Sequence, residues 1–184
     1  SVDEAVAALP RIDRAAGGLQ YAEQPCAAVD DLARVRRAVA VPIAADESIR
    51  RAADPHAVVR AGAADVIVVK VQPLGGVRAC LALAEELGLP VTVSSALESS
   101  VGIAAGVALA AALPRTNAAG LATVAMLRSD VAATPLLPVA GELPVGRAVP
   151  DSLTPAAPEL DRAWRDRLHR VSALAGIDLQ EVLA

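Results

Sequence analysis

Four stretches of the chain run from small apolar residues into a polar or charged one at nearly even spacing. YAEQPC (21–26) reaches Glu23, VPIAADES (41–48) reaches Asp46, VIVVKV (66–71) contains Lys70, and VTVSSALESS (91–100) reaches Ser94 and Ser95. Two carboxylates brought close together repel, and sharing a hard cation such as Mg²⁺ relieves that repulsion with the oxygen ligands the ion prefers. Lys70 is the only lysine in the chain. Set among valines, it would be costly to bury unless it serves a site or meets a partner. A metal-bound anion with an ammonium facing it is the chemistry these residue types suggest. Taken singly, an acid after a strand is also an ordinary helix cap or loop residue.

Those groups share a site only if the elements carrying them are neighbours. Val2, Val6, Leu9 and Ile12 lie near a helical period, predicting a helix over 1–16 that stops at Gly17-Gly18, with Pro10 a point where it kinks or splits. Leu19 to Ala22 reads as a strand ending at Glu23, followed by a helix from Asp30-Asp31 through Val39. The unit recurs: a strand ending at Asp46 and a helix near 54–61, a strand reaching Lys70 and a helix from Gly76 to Leu87, and a strand ending at Ser94-Ser95 before the Ala-rich stretch 100–114. Residues 117–127 offer a fifth strand and a short helix. Such alternation implies parallel strands joined by right-handed crossovers, in a (β/α) barrel or a doubly wound sheet. In either, the carboxyl ends of the strands open on one face, where ligands bind. No GxGxxG or Walker loop follows a strand, which disfavours nucleotide binding.

Composition narrows the partners. The chain has 184 residues, 54% of them hydrophobic and mostly Ala and Val, with no Phe, one Trp and one Tyr. Its net charge of −4 without a basic run gives no footprint for nucleic acid or an anionic membrane. The most apolar stretch, 100–114, is too short to span a bilayer and reads as a buried helix. Cys26 and Cys80 form no CxxC pair and suggest reduced thiols in a cytoplasmic protein. His56 and His169 fall on helical stretches away from the strand ends. Gly75-Gly76 presents either backbone N–H groups for an anion or a tight turn, and Glu98 faces either the site or solvent. Prolines from Pro135 to Pro158 mark an extended segment, followed by an amphipathic helix with Leu160, Trp164, Leu168, Val171 and Leu174 on one stripe. The expected organisation is a partial barrel over 1–128 and, over 129–184, a Pro-rich segment and terminal helix packing on the barrel or on a capping domain.

The order AEQP, ADES, VIVVKVQPLGG, SSALESSVG resembles the enolase superfamily and, within it, the o-succinylbenzoate synthase family of menaquinone biosynthesis. The resemblance covers roughly 1–127. It implies part of a modified (β/α)₇β TIM-type barrel, strands four to eight, and Mg²⁺ held by three carboxylates, of which Glu23 and Asp46 match the second and third. Lys70 matches the strand-six lysine, described in the family as an acid/base or as a cation stabilising the intermediate. Ser94, Ser95 and Gly120 match the segments lining the substrate pocket. The implied reaction is Mg²⁺-dependent loss of water from 2-succinyl-6-hydroxy-2,4-cyclohexadiene-1-carboxylate through an enediolate.

This sequence departs from the family pattern in having no counterpart of the first metal ligand or of the second-strand Lys-x-Lys. The chain therefore reads as beginning just after the missing Asp, with the capping domain and first barrel strands expected in a longer protein. Other superfamily racemases, epimerases or cycloisomerases share the metal site and lysine. A non-catalytic half-barrel fragment is the reading from a different class.

Overall fold

Strand alternation decides which side chains meet. In the computed structural model, which describes residues 1–114 and 117–179, the chain forms two compact units, Ser1–Asp151 and Ser152–Ala184. The first holds a parallel sheet in sequential order: β1 (Ala22–Glu23), β2 (Ile43–Ala45), β3 (Val66–Lys70) and β4 (Val91–Ser94). Register pairs Glu23 with Ala44, Ala44 with Val66, and Lys70 with Ser94. A single parallel bridge then joins Ser94 to Gly120. The expected fifth strand is thus one residue long, followed by a 3₁₀ turn over Thr123–Met126.

Side chains on a strand point alternately to opposite faces. On one face Ile43, Ala45, Ile67, Val69, Val71 and Val93 enter the main core, packed with residues of the helices. The other face carries a separate small cluster of Ala44, Val66 and Val68 with Tyr21 against it. Glu23, Asp46, Lys70 and Ser94 have the parity of this second face. Each therefore continues the inner face beyond the apolar cluster, toward the carboxyl ends of the strands.

The helices are α1 (Val2–Ala16), α2 (Val29–Ala38), α3 (Glu47–Arg50), α4 (Ala57–Arg60), α5 (Val77–Leu87), α6 (Ser100–Ala112) and α7 (Pro158–Ala175). Helix α1 runs through Pro10 without a break and ends where Gly17 turns left-handed. The helix expected over 54–61 shortens to α4, because its first residues close into tighter turns, with Val58 N–H on Pro55 O and Val59 N–H on His56 O, and Gly62 turns left-handed after it. A separate turn of helix, α3, forms directly at Asp46. Strand β1 is shorter than its apolar run: Leu19 N–H is taken by the Asp13 carboxylate at 2.7 Å, and pairing with the β2 segment starts only at Ala22, whose N–H donates to Pro42 O.

Gly75 and Gly76 resolve as a turn, since their N–H groups donate to Gln72 O and Val71 O. Helix α6 is anchored at its start by Asp130, which accepts from the Ser100 backbone N–H and hydroxyl. Cys26 and Cys80 are free and buried in the main core. In the second unit, α7 forms as expected, and Leu160, Trp164, Leu168, Val171 and Leu174 along it are about half or more exposed. Among the described residues, no helix is long and apolar enough to cross a membrane.

Ile67 is fully buried at the centre of the sheet's helix-facing side. Ile67→Ala is expected to destabilise the first unit by about 2–5 kcal/mol through lost burial and the cavity left behind. Urea unfolding of the full-length protein reads this, and a loss below about 1 kcal/mol would contradict the packing described.

Candidate active site at the strand ends

The carboxyl ends of β1, β2 and β3 bring three charged groups together. Asp46 follows β2 directly and is the first residue before α3, with only 2% of its side chain exposed. One carboxylate oxygen accepts from Lys70 Nζ at 2.5 Å, and the other from Arg50 Nε at 2.8 Å. The Lys70 side chain, 12% exposed, meets Asp46 on the sheet's inner face. Arg50 lies one turn further along α3 and also pairs with Glu47. Two cationic partners satisfy a carboxylate that would be costly to bury alone.

Glu23 completes the group. It keeps one side open to solvent, yet its carboxyl pKa is raised, first by burial and then by the negative charge of Asp46, with Lys70 opposing the shift. That balance records three neighbouring charges with carboxylates in excess.

Ser94 and Ser95 flank the group across the sheet. Ser94 pairs with Lys70 in register and bridges to Gly120. A side chain at Gly120 would put its Cβ 2.9 Å from Ser94 Oγ, so glycine leaves room for that hydroxyl. Ser95 is buried and turns away into structure, its hydroxyl bonded to Gly120 O at 2.9 Å and to Thr123 Oγ1 at 2.8 Å. The structure therefore groups Glu23, Asp46 and Lys70, and sets Ser94 and Gly120 in the adjacent row. Ser95 serves to fasten that row. Glu98 caps its own loop, accepting from Ala96 N–H at 2.8 Å. His56 pairs with Glu86 on an exposed surface and His169 is exposed on α7.

Arg50 and Gln24 were not among the residues singled out from the sequence. Arg50 had a readable signal, its spacing four residues after Asp46 at a helix start. Gln24 stands within AEQP, but nothing there told its role: its amide bonds Asp46 N–H and Ser48 N–H through contacts that only the fold creates.

As a donor set for a divalent cation, the group offers two carboxylates at adjacent strand ends. Hard oxygen ligands of this kind fit Mg²⁺, and the excess negative charge at Glu23 fits a cation in their vicinity. The two thiols lie in the core on the opposite side of the sheet, so soft-ligand metal chemistry has no donors here. Among the described residues, no cluster of three or more His, Cys, Asp or Glu side chains is arranged to hold a metal. The fit is thus to part of a ligand set.

Comparison with known proteins follows the same lines. The family model for enolase C-terminal domain-like proteins matches residues 1–152. An o-succinylbenzoate synthase of Thermobifida fusca is 62% identical over 169 residues, covering 91% of this chain and 53% of that protein. One from Mycobacterium tuberculosis is 54% identical, covering 91% and 52%. The chain spans about half the length of the curated relatives it matches. Among solved structures, 2-chloromuconate cycloisomerase from Rhodococcus opacus superposes with TM-score 0.69 at 30% identity, over 88% of this chain and 45% of that one. Dipeptide epimerase from Enterococcus faecalis, in complex with Mg and the dipeptide L-Leu-L-Tyr, superposes with TM-score 0.67 at 25% identity, over 83% and 44%. The four-stranded parallel sheet is accordingly the carboxyl-terminal portion of a TIM-type barrel.

Because Lys70 holds the Glu23 pKa down against burial and Asp46, removing its charge should raise that pKa further. A group whose folded pKa is raised binds its proton more readily folded than unfolded, so its contribution to stability grows as pH falls through the folded value and is absent above it. In Lys70→Met, a ¹³C carboxyl titration of Glu23 is expected to move to higher pH; no movement, or a downward one, would contradict the grouping. On sequence, matched family and fold together, the chain belongs to the enolase C-terminal domain-like family.

Proposed function

We propose that the full-length protein carrying this chain is an o-succinylbenzoate synthase. It would dehydrate 2-succinyl-6-hydroxy-2,4-cyclohexadiene-1-carboxylate to o-succinylbenzoate in menaquinone biosynthesis, with Mg²⁺ as cofactor. The observation that carries this reading is the identity of 62% across 91% of the chain to a relative of that name, in a chain whose strand ends place Lys70 beside two carboxylates.

The difficulty in this reaction is removing a proton alpha to a carboxylate, where the electron pair left behind makes a doubly charged enediolate. Lys70 donates to Asp46 as an ammonium, and it would supply the positive charge that steadies the developing negative charge. Burial strengthens that effect, because the surrounding sheet excludes most water from the ammonium. Glu23 and Asp46 would hold Mg²⁺, which supplies Lewis-acid polarisation of the substrate carboxylate. Ser94, beside Lys70, and the open surface at Gly120 would line the substrate. Breaking the C–H bond sends its electrons into the carboxylate. Their return to the ring expels the hydroxyl group, which takes up a proton equivalent to the one removed and leaves as water, and the ring becomes aromatic. The proton acceptor and a third metal ligand come, on this reading, from residues outside this chain, so the chain by itself would be inactive.

A dipeptide epimerase or related racemase is the second reading, favoured by the similarity to the Enterococcus faecalis enzyme and by chemistry that begins with the same proton removal. Dehydration assayed with Mg²⁺ on the full-length protein separates them. We expect o-succinylbenzoate to form, and Lys70→Ala to lower kcat by about 10²–10³-fold or more, the scale of removing one strong charge-stabilising donor. Absence of dehydration, with turnover of dipeptides instead, would overturn the synthase reading.

A further inference from the structure

We propose that Gln24 is a positioning residue that sets the spacing of the two carboxylates; this rests on the reading that Glu23 and Asp46 hold a divalent cation. The backbone at Gln24 is left-handed, with φ of 42°, a conformation that side chains other than glycine rarely adopt. Its N–H still donates to Ala44 O at 2.8 Å, so the ladder between β1 and β2 is carried one residue past Glu23 before the chain turns away.

The reversal brings the amide side chain across to the end of β2. Oε1 accepts from Asp46 N–H at 3.0 Å and from Ser48 N–H at 3.2 Å, while Nε2 donates to Cys26 O at 2.8 Å and Ser48 Oγ at 2.7 Å. Both donors and both acceptor sites of the amide are thereby used. One side chain fastens the loop after β1 to the residue that carries the second carboxylate and to the opening of α3. The residue immediately before it is Glu23. The strained turn and the saturated amide thus fix, from one position, where the two carboxylates stand relative to each other. Residues that orient metal ligands without touching the metal commonly govern affinity for it.

The test uses Mn²⁺ as the probe, with free Mn²⁺ measured by electron paramagnetic resonance on the full-length protein. Gln24→Gly suits the left-handed backbone but removes the amide, and Gln24→Met keeps the bulk without the hydrogen bonds. Both are expected to weaken Mn²⁺ binding by about 10–100-fold while still unfolding cooperatively on heating. Affinity equal to that of the unsubstituted protein in either folded variant would overturn the proposal. Loss of cooperative unfolding in Gln24→Gly would overturn it too, making Gln24 a folding residue. Failure of the unsubstituted protein to bind Mn²⁺ would instead overturn the metal reading on which the proposal rests.

Discussion

A carboxylate withdrawn from water must be compensated, and Asp46 is compensated twice, by Lys70 from the next strand and by Arg50 from its own helical turn. Either contact alone would leave one carboxylate oxygen without its cationic partner. Together they tie the end of β2 to the end of β3 and to α3, so the charges cannot separate without exposing an unpaired buried ion. Glu23 then meets this assembly from β1 with no cation dedicated to it, and its raised pKa follows. The site is therefore built around one satisfied acid and one under-compensated acid. That asymmetry is what a shared divalent cation would correct.

The opposite end of the sheet uses a similar ion pair for a different purpose. Asp65, just before β3, accepts from Arg36 of α2 and from the Ile43 N–H that opens β2. Burial works against its charge, but Arg36 and the backbone donor prevail and hold its pKa below the ordinary carboxylate range. Here the aspartate has a local cationic partner, and the contact joins helix to sheet. In parallel barrels the carboxyl face carries chemistry and the amino face carries stability, and the two aspartates lie at those two ends of the sheet.

Much of this was legible in the sequence because parallel strands buried on both faces must be short apolar runs, and a charge within such a run has to be explained. Lys70 stands out for that reason, and Glu23 and Asp46 fall at matching strand ends. The helix over 54–61 was harder, since an apolar period says nothing of the tighter turns that replace its first residues or of α3 forming at Asp46. The two-residue length of β1 depends on Asp13 capturing Leu19 N–H, a contact between positions that no periodicity relates. Gln24 lay furthest from view: neither its left-handed backbone nor its reach to Asp46 follows from residue type. For Ser95 the residue type said only that a hydroxyl stands at a strand end; its bonds to Gly120 O and Thr123 Oγ1 come from the fold.

On the proposed function, Glu23, Asp46 and Lys70 form one anion-and-metal site. Anomalous diffraction from crystals of the full-length protein with Mn²⁺ and o-succinylbenzoate tests it most directly. The expected result is a manganese peak contacting both Glu23 and Asp46, with the ligand's carboxylate within reach of Lys70 Nζ. Manganese bound elsewhere, or a ligand carboxylate remote from these strand ends, would contradict it.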